Sequence, residues 1–250
     1  MKLKSKIKRR VNALKTVFKN KIFLKSMIKK IIEEGYRLSE QKKRKVQTVS
    51  KKFFIDKVSA IHIPNIELKD GNLSFYELIF LSMLLNKISP LSLLEVGTFN
   101  GCSTLIMALN TEDHSQIDTL DLTTPSQYSL KNKEDIKYIE CKEKMNKYYE
   151  NYQERKKIHE HLGDSMDFDF TLFGLKDFIF IDGAHSYDHV KNDTEKGLSI
   201  LKDGGICLWH DYDPLCEGVF KYLNELSQDI PLYHVENTSF VIYKKASFFQ

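Results

Sequence analysis

From residue 74 onward the apolar positions fall into short continuous runs, separated by longer stretches in helical register. Leu91, Leu93, Leu94 and Val96 form one run, the pattern of a strand buried on both faces, as in a parallel sheet. Similar runs lie at Ile117–Leu122, Ile158–Leu162, Phe178–Ile181 and Gly205–His210. Between them the spacing predicts helices over 75–87, 187–202 and near 215–228, and a mostly helical charged stretch over 131–157. Ser74-Phe75-Tyr76-Glu77 reads as a capping box opening the first helix, and Pro90 stops it. Leu232–Val235 and Phe240–Lys244 then read as a closing pair of strands. This order predicts a doubly wound, Rossmann-like α/β sheet, mostly parallel with an antiparallel terminal strand.

Ahead of this pattern the chain differs in kind. Residues 1–35 read as helix, but Lys21, Lys25 and Lys29 fall inside or beside the apolar arc, which argues against deep burial. Residues 1–52 hold 19 Lys/Arg against 3 Asp/Glu, whereas the other 198 hold 19 against 31. The sequence therefore divides into a basic helical arm (1–52) and an acidic domain (53–250), with 46–72 read as the connecting linker. Such an arm suits contact with an anionic membrane surface, its lysines snorkelling, or a solvated or oligomer-forming role. The four cysteines, Cys102, Cys141, Cys207 and Cys216, have no paired spacing, which suits reduced thiols and excludes a C-x-x-C zinc site. No run reaches the ~20 apolar residues of a membrane span, and the N-terminus lacks the apolar core of a secretion signal. The expectation is a cytoplasmic protein, peripheral at the membrane if the arm binds there.

The first strand run ends in Glu95-Val96-Gly97-Thr98-Phe99-Asn100-Gly101, and Ser103 and Thr104 then open an apolar helical pattern. Strand, glycine turn and helix N-terminus together make the ligand edge of a doubly wound sheet. A dinucleotide site would show G-x-G-x-x-G. Here the pattern is Glu-x-Gly-x-x-x-Gly, whose acid disfavours phosphate and suits a cationic ligand, so a nicotinamide-dependent oxidoreductase is disfavoured. The plain alternative is a strand–turn–helix with no ligand. Asp121 ends the second strand, 26 residues after Glu95, where doubly wound folds place the acid that binds ribose hydroxyls; Asp118 takes that role if the register shifts.

The pattern from Glu95 to Gly101 resembles motif I of class I S-adenosylmethionine-dependent methyltransferases. That resemblance implies a cofactor site formed by Glu95, Gly97, Thr98, Gly101, Ser103 and Asp121. It also implies that Gly163, Asp164 and Ser165, at the end of the third strand, surround the adenine, although loop chemistry alone would also give Gly-Asp-Ser.

A second constellation carries the chemistry. The run Asp177–Ile181 delivers Asp182 to a strand end, with His185 three residues on. Gly204–Trp209 delivers His210 and Asp211, 28 and 29 positions after Asp182, a full helix crossover. Adjacent parallel strands stand ~4.8 Å apart, so carboxylates at both tips can share a divalent cation such as Mg²⁺. The two segments, Ile181-Asp-Gly-Ala-His-Ser-Tyr187 and Leu201-Lys-Asp-Gly-Gly-Ile-Cys-Leu-Trp-His-Asp211, resemble the small-molecule O-methyltransferases known as the methyltransferase-24 family, over roughly residues 60–245. Catechol-type relatives carry lysine at the position of His185 and Asp-Asn at that of His210-Asp211, which makes a catechol acceptor less fitting. The resemblance implies a metal held by Asp182, His210 and Asp211, with Asp182 also near the cofactor. His185, an imidazole with an ordinary pKa near 6.5, would be the general base. Each has a structural alternative: a loop histidine at His185, a cofactor-ammonium contact without metal at Asp182, a backbone contact at His210.

The leading reading is metal-assisted O-methylation of a sugar or other small hydroxylated metabolite, by a monomer or homo-oligomer. Two alternatives stand beside it. One is a nucleic-acid methyltransferase gripping phosphates with the basic arm, disfavoured because Asp182-Gly-Ala-His stands where base methyltransferases carry Asp/Asn-Pro-Pro-aromatic. The other is a non-catalytic binding protein that keeps the cofactor fold.

Overall fold

The computed structural model describes residues 21–55, 60–122 and 146–246. Contacts divide the chain into two compact units, Met1–Arg44 and Lys45–Gln250. In the first, α1 (Lys21–Glu40) runs five residues past the predicted end, and a 3₁₀ turn, Gln41–Lys43, follows. The rest of the predicted arm helix, residues 1–20, lies outside the described residues. Ile28, Ile31, Ile32 and Leu38 are exposed on α1, at 46, 62, 64 and 56%. Among the described residues, no helix is long and apolar enough to cross a membrane.

The second unit is built on an eight-stranded sheet. Its strands are β1 (Gln47–Val49), β2 (Ser92–Val96), β3 (Gln116–Asp121), β4 (Ile158–Leu162), β5 (Lys176–Ile181), β6 (Leu201–Trp209), β7 (Tyr233–Val235) and β8 (Val241–Lys244). Their order is β1-β7-β8-β6-β5-β2-β3-β4, and every pairing is parallel except those of β8 with β6 and β7. The predicted doubly wound, mostly parallel sheet with an antiparallel terminal strand is therefore the observed one. Helices α2 (Phe75–Ile88), α3 (Cys102–Leu109), α4 (Tyr187–Ile200) and α5 (Glu217–Leu226) cover the sheet.

The continuous apolar runs have a simple cause: successive side chains point to opposite faces, and both faces are buried. In β5, Phe178 and Phe180 pack with Phe80 of α2 and Leu105 and Ile106 of α3 in one core. Ile179 and Ile181 pack with Val190 of α4 and Val219 and Leu223 of α5 in the other. The capping box at Ser74 and Glu77 is present.

Two expectations are corrected. The stretch 46–72 is not simply a linker: β1 pairs in parallel with β7, and Val46, Phe54 and Ile55 are buried. The sheet unit accordingly begins at Lys45. A strand of three residues is too short to show a period, so only its pairing reveals it. The described part of the predicted charged helix, 146–157, consists of turns and the 3₁₀ turn Gln153–Lys157; residues 131–145 lie outside the described residues. Here tertiary contacts override helix propensity. Tyr149 is fully buried against Gly101, and Tyr148 N–H donates to the Asn100 carbonyl at 2.9 Å.

Candidate active site

From β2 the chain winds outward through β3 and β4; from β5 it winds the other way through β6. The reversal leaves a crevice at the C-terminal ends of β2 and β5, where open α/β sheets bind ligands. Val96, Ile181 and Trp209 stand in register there. One residue beyond them come Gly97, Asp182 and His210. Asp182 N–H donates to the Val96 carbonyl (2.9 Å) and His210 N–H to the Ile181 carbonyl (3.1 Å), so register alone brings these residues side by side.

A cavity of about 730 Å³ opens over this row, within the range of small-molecule sites. Among the predicted cofactor residues, Gly97, Thr98, Ser103, Asp121, Gly163, Asp164, Ser165 and Asp182 line it. His185, His210 and Asp211 line it as well. Seven carboxylates but no lysine or arginine occur among its described lining residues, a wall that suits a ligand carrying ammonium and sulfonium charge.

Gly97 has to be glycine. Its φ is +98°, and a Cβ there would sit 2.1 Å from the Asp182 carbonyl oxygen. Gly101 also has positive φ (+76°), but it acts behind the cavity, where a Cβ would lie 2.4 Å from the Tyr149 ring.

Glu95 departs from expectation. Its carboxylate does not face the cavity but is fully buried beneath the turn. It accepts from Ser103 Oγ (2.6 Å), Thr104 Oγ1 (2.5 Å) and Thr119 Oγ1 (2.6 Å). Strand alternation explains the direction: Leu94 and Val96 point to the opposite side of β2. Burial raises the Glu95 pKa to about 7, against the pull of the three hydroxyls, and the nearby Asp182 charge adds to the rise. Glu95 thus ties β2 to β3 and to the start of α3.

At the end of β3, Asp121 lines the cavity, its Oδ2 3.6 Å from Lys147 Nζ. Lys147 also donates to the Phe99 carbonyl (2.5 Å), linking the acid to the glycine turn. Asp118, the alternative acid, is engaged elsewhere, bonded to Lys176 Nζ (2.5 Å) and His161 Nε2 (2.7 Å).

The other end of the cavity holds a chain of ionisable groups. His210 Nδ1 is 2.9 Å from Asp182 Oδ1 and 3.3 Å from Asp211 Oδ2. His185 Nε2 is 2.7 Å from Asp211 Oδ2. Burial works against charge on His210, but Asp211 and Asp182 outweigh it and hold its pKa well above the ordinary imidazole value. Burial likewise opposes charge on Asp211, yet His210 and the His185 hydrogen bond bring its pKa well below the carboxylate range. At Asp182 burial prevails and the pKa rises, despite His210.

Donor atoms of Asp182, His210 and Asp211 all lie within 4.8 Å of one another. That spacing fits a shared divalent cation, and two carboxylates with one imidazole suit Mn²⁺ at least as well as Mg²⁺. His185, Asp211 and Cys216 form a second such group sharing Asp211.

Three contributors escaped the sequence reading. Glu77 lies 3.5 Å from His210 Nε2, and its capping-box role hid this one. Lys147 sits in a charged run without distinguishing pattern. A Cβ on Gly218 of α5 would stand 2.3 Å from the His185 carbonyl, so this glycine lets α5 back the histidine loop. Only spatial proximity marks these three.

The glycine turn, the acid Asp121 at the end of β3 and the acidic cavity at the switch point resemble the cofactor site of class I S-adenosylmethionine-dependent methyltransferases. Residues 94–212 match a family described as "Methyltransferase domain", and the second unit has the fold of solved methyltransferases. Solved structures share the fold. An O-methyltransferase from Bacillus cereus in complex with SAH is 17% identical, with 71% of this chain and 84% of that one covered and a TM-score of 0.50. A protein described as a putative caffeoyl-CoA O-methyltransferase from Staphylococcus aureus is 18% identical, with 70% and 85% covered and a TM-score of 0.53. The SAH-bound Podospora anserina methyltransferase PaMTH1 is 19% identical, with 69% and 79% covered and a TM-score of 0.51. No curated protein sequence matches the chain significantly.

Proposed function

We propose that this methyltransferase transfers its methyl group to a hydroxyl oxygen of a small acceptor, a sugar or similar polyol, with help from a divalent cation. The carrying observation is that His185, Asp211, His210 and Asp182 form one hydrogen-bonded and ion-paired chain lining the cavity that Gly97 and Asp121 also line. The O-methyltransferases among the structural neighbours lend support.

In this reading Asp121 accepts the ribose hydroxyls, Gly97 and Thr98 admit the methionine portion, and Gly163, Asp164 and Ser165 face the adenine. Asp182, His210 and Asp211 would hold the cation, which when bound lowers the pKa of an acceptor hydroxyl. His185 takes the hydroxyl proton, and Asp211 stabilises the resulting imidazolium. The freed oxygen forms a bond to the methyl carbon as the carbon–sulfur bond breaks toward sulfur, leaving a methyl ether and S-adenosylhomocysteine. Residues that hold the acceptor in line with that bond supply much of the remaining rate.

We further propose that the arm rests on an anionic membrane surface. Exposed Ile28, Ile31, Ile32 and Leu38 on α1, in a segment rich in lysine, support this.

Calorimetry with S-adenosylhomocysteine, on wild type and Asp121→Ala, with and without Mn²⁺ or Mg²⁺, tests the cofactor site. Micromolar binding, weakened by ~10-fold or more in the variant, is expected for loss of hydrogen bonds to a charged group. Turnover of hydroxylated acceptors, sugars first, then tests the reaction. Absence of cofactor binding under every condition would favour a non-catalytic binding protein.

A further inference from the structure

Glu77 is more deeply built in than a helix cap requires. A capping glutamate normally uses one oxygen at a wet helix start, whereas Glu77 is 6% exposed and both of its oxygens are engaged. Oε2 accepts from Ser74 N–H (2.9 Å) and Ser74 Oγ (2.7 Å). Oε1 reaches across to the segment before β8, accepting from Ser239 N–H (2.8 Å) and Ser239 Oγ (2.9 Å). Oε2 also lies 3.5 Å from His210 Nε2. Burying a carboxylate is costly unless it is paired, and the cap alone does not account for the pairing.

The other contacts of His210 complete the picture. Nδ1 faces Asp182 and Asp211, and the ring packs on Phe240, centroids 5.5 Å apart. Ser239 Oγ, which donates to Glu77, also accepts Asp211 N–H at 3.3 Å. Asp211 has φ +58°, in the left-handed region, so its backbone needs such an anchor. Glu77 therefore touches one member of the acidic site directly and a second through Ser239.

We propose that Glu77 is a positioning residue for this site: it holds Nε2 of His210, and through Ser239 the backbone of Asp211, so that Nδ1 and the Asp211 carboxylate converge with Asp182 on one cation. The proposal rests on the cation reading above. It follows the general logic by which a ligating histidine has its outward nitrogen fixed by a carboxylate.

The test uses the full chain and Mn²⁺ alone, its binding followed by electron paramagnetic resonance, with Glu77→Ala, Ser74→Ala and wild type compared. Glu77→Ala should weaken Mn²⁺ binding ~10–100-fold while S-adenosylhomocysteine still binds. Ser74→Ala, which loosens the cap but leaves Glu77 beside His210, should bind Mn²⁺ like wild type. Unchanged Mn²⁺ affinity in Glu77→Ala, or an equal loss in Ser74→Ala, would overturn the proposal.

A second readout stands apart from metal. The His210 Nε2–H signal in ¹⁵N-edited NMR should be protected from solvent exchange in wild type and lose that protection in Glu77→Ala. If wild type binds no Mn²⁺ but the signal responds, Glu77 positions His210 and the cation reading fails. An unresponsive signal overturns the positioning role itself.

Discussion

His185 Nε2 lies 2.7 Å from Asp211 Oδ2, and Asp211 is in turn within 3.3 Å of His210. The candidate base is thereby coupled to the candidate cation site through one carboxylate, which fixes the ring and, in the proposed reaction, would stabilise an imidazolium on His185. His185→Ala should lower turnover by ~10²–10⁴ and leave S-adenosylhomocysteine affinity close to wild type. Steady-state kinetics beside calorimetry would check this, and unaltered turnover would remove the base assignment.

Gly97→Ala should damage the fold as well as the site. The substitution combines a strained φ of +98° with a Cβ only 2.1 Å from the Asp182 carbonyl. Backbone strain alone costs ~1–3 kcal/mol, equivalent to about 2–4 °C of melting temperature per kcal/mol for a chain of this size. A melting temperature at least ~5 °C lower and loss of cofactor binding are expected. A variant that melts like wild type would show that β2 and β5 do not approach this closely.

Glu95 predicts a pH dependence of stability. Its pKa rises from an ordinary 4.5 to about 7 in the folded state. Between those values the unfolded chain has released this proton and the folded chain retains it, so stability falls as pH rises through that window. Glu95→Gln removes this contribution. Relative to wild type, the variant should gain melting temperature as pH is raised from about 5 to 7.5, the window set by the shift. Melting curves that stay parallel across the series would refute the buried, proton-retaining carboxyl.

Truncation of the arm has to stop at Arg44, because Gln47–Val49 form β1 of the sheet. The shortened chain should keep cofactor affinity. Full-length protein should co-sediment with vesicles rich in anionic lipid at low salt, less so at ~0.5 M salt as the Debye length shrinks, and the truncated chain should not. Failure of the full chain to sediment under any salt condition would end the membrane proposal.

How much of this was legible beforehand varies from one element to the next. The strands β2 to β6 were readable because both faces are buried, which concentrates Leu, Ile, Val and Phe in unbroken runs. The motif residues Gly97, Asp121, Asp182, His185, His210 and Asp211 were readable because each sits at or just past the end of such a run. β1 was not, since three residues cannot display a period and its edge pairing exists only beside β7. The inward turn of Glu95 follows from strand alternation, since Leu94 and Val96 on either side of it face the opposite core.

What the sequence by itself determined was the alternation of buried strands and helices, the glycine turn that follows the Leu93–Val96 run, and the residues offered at strand ends. What only the tertiary structure decided was which of those residues meet. Glu77, Ser239 and Lys147 join the site from positions far away in the chain, and no local pattern marks them. Hydrophobic burial is read from residue type and spacing, whereas a hydrogen bond or ion pair depends on distances of about 3 Å, which are set only when strands in register and packed helices fix their ends together.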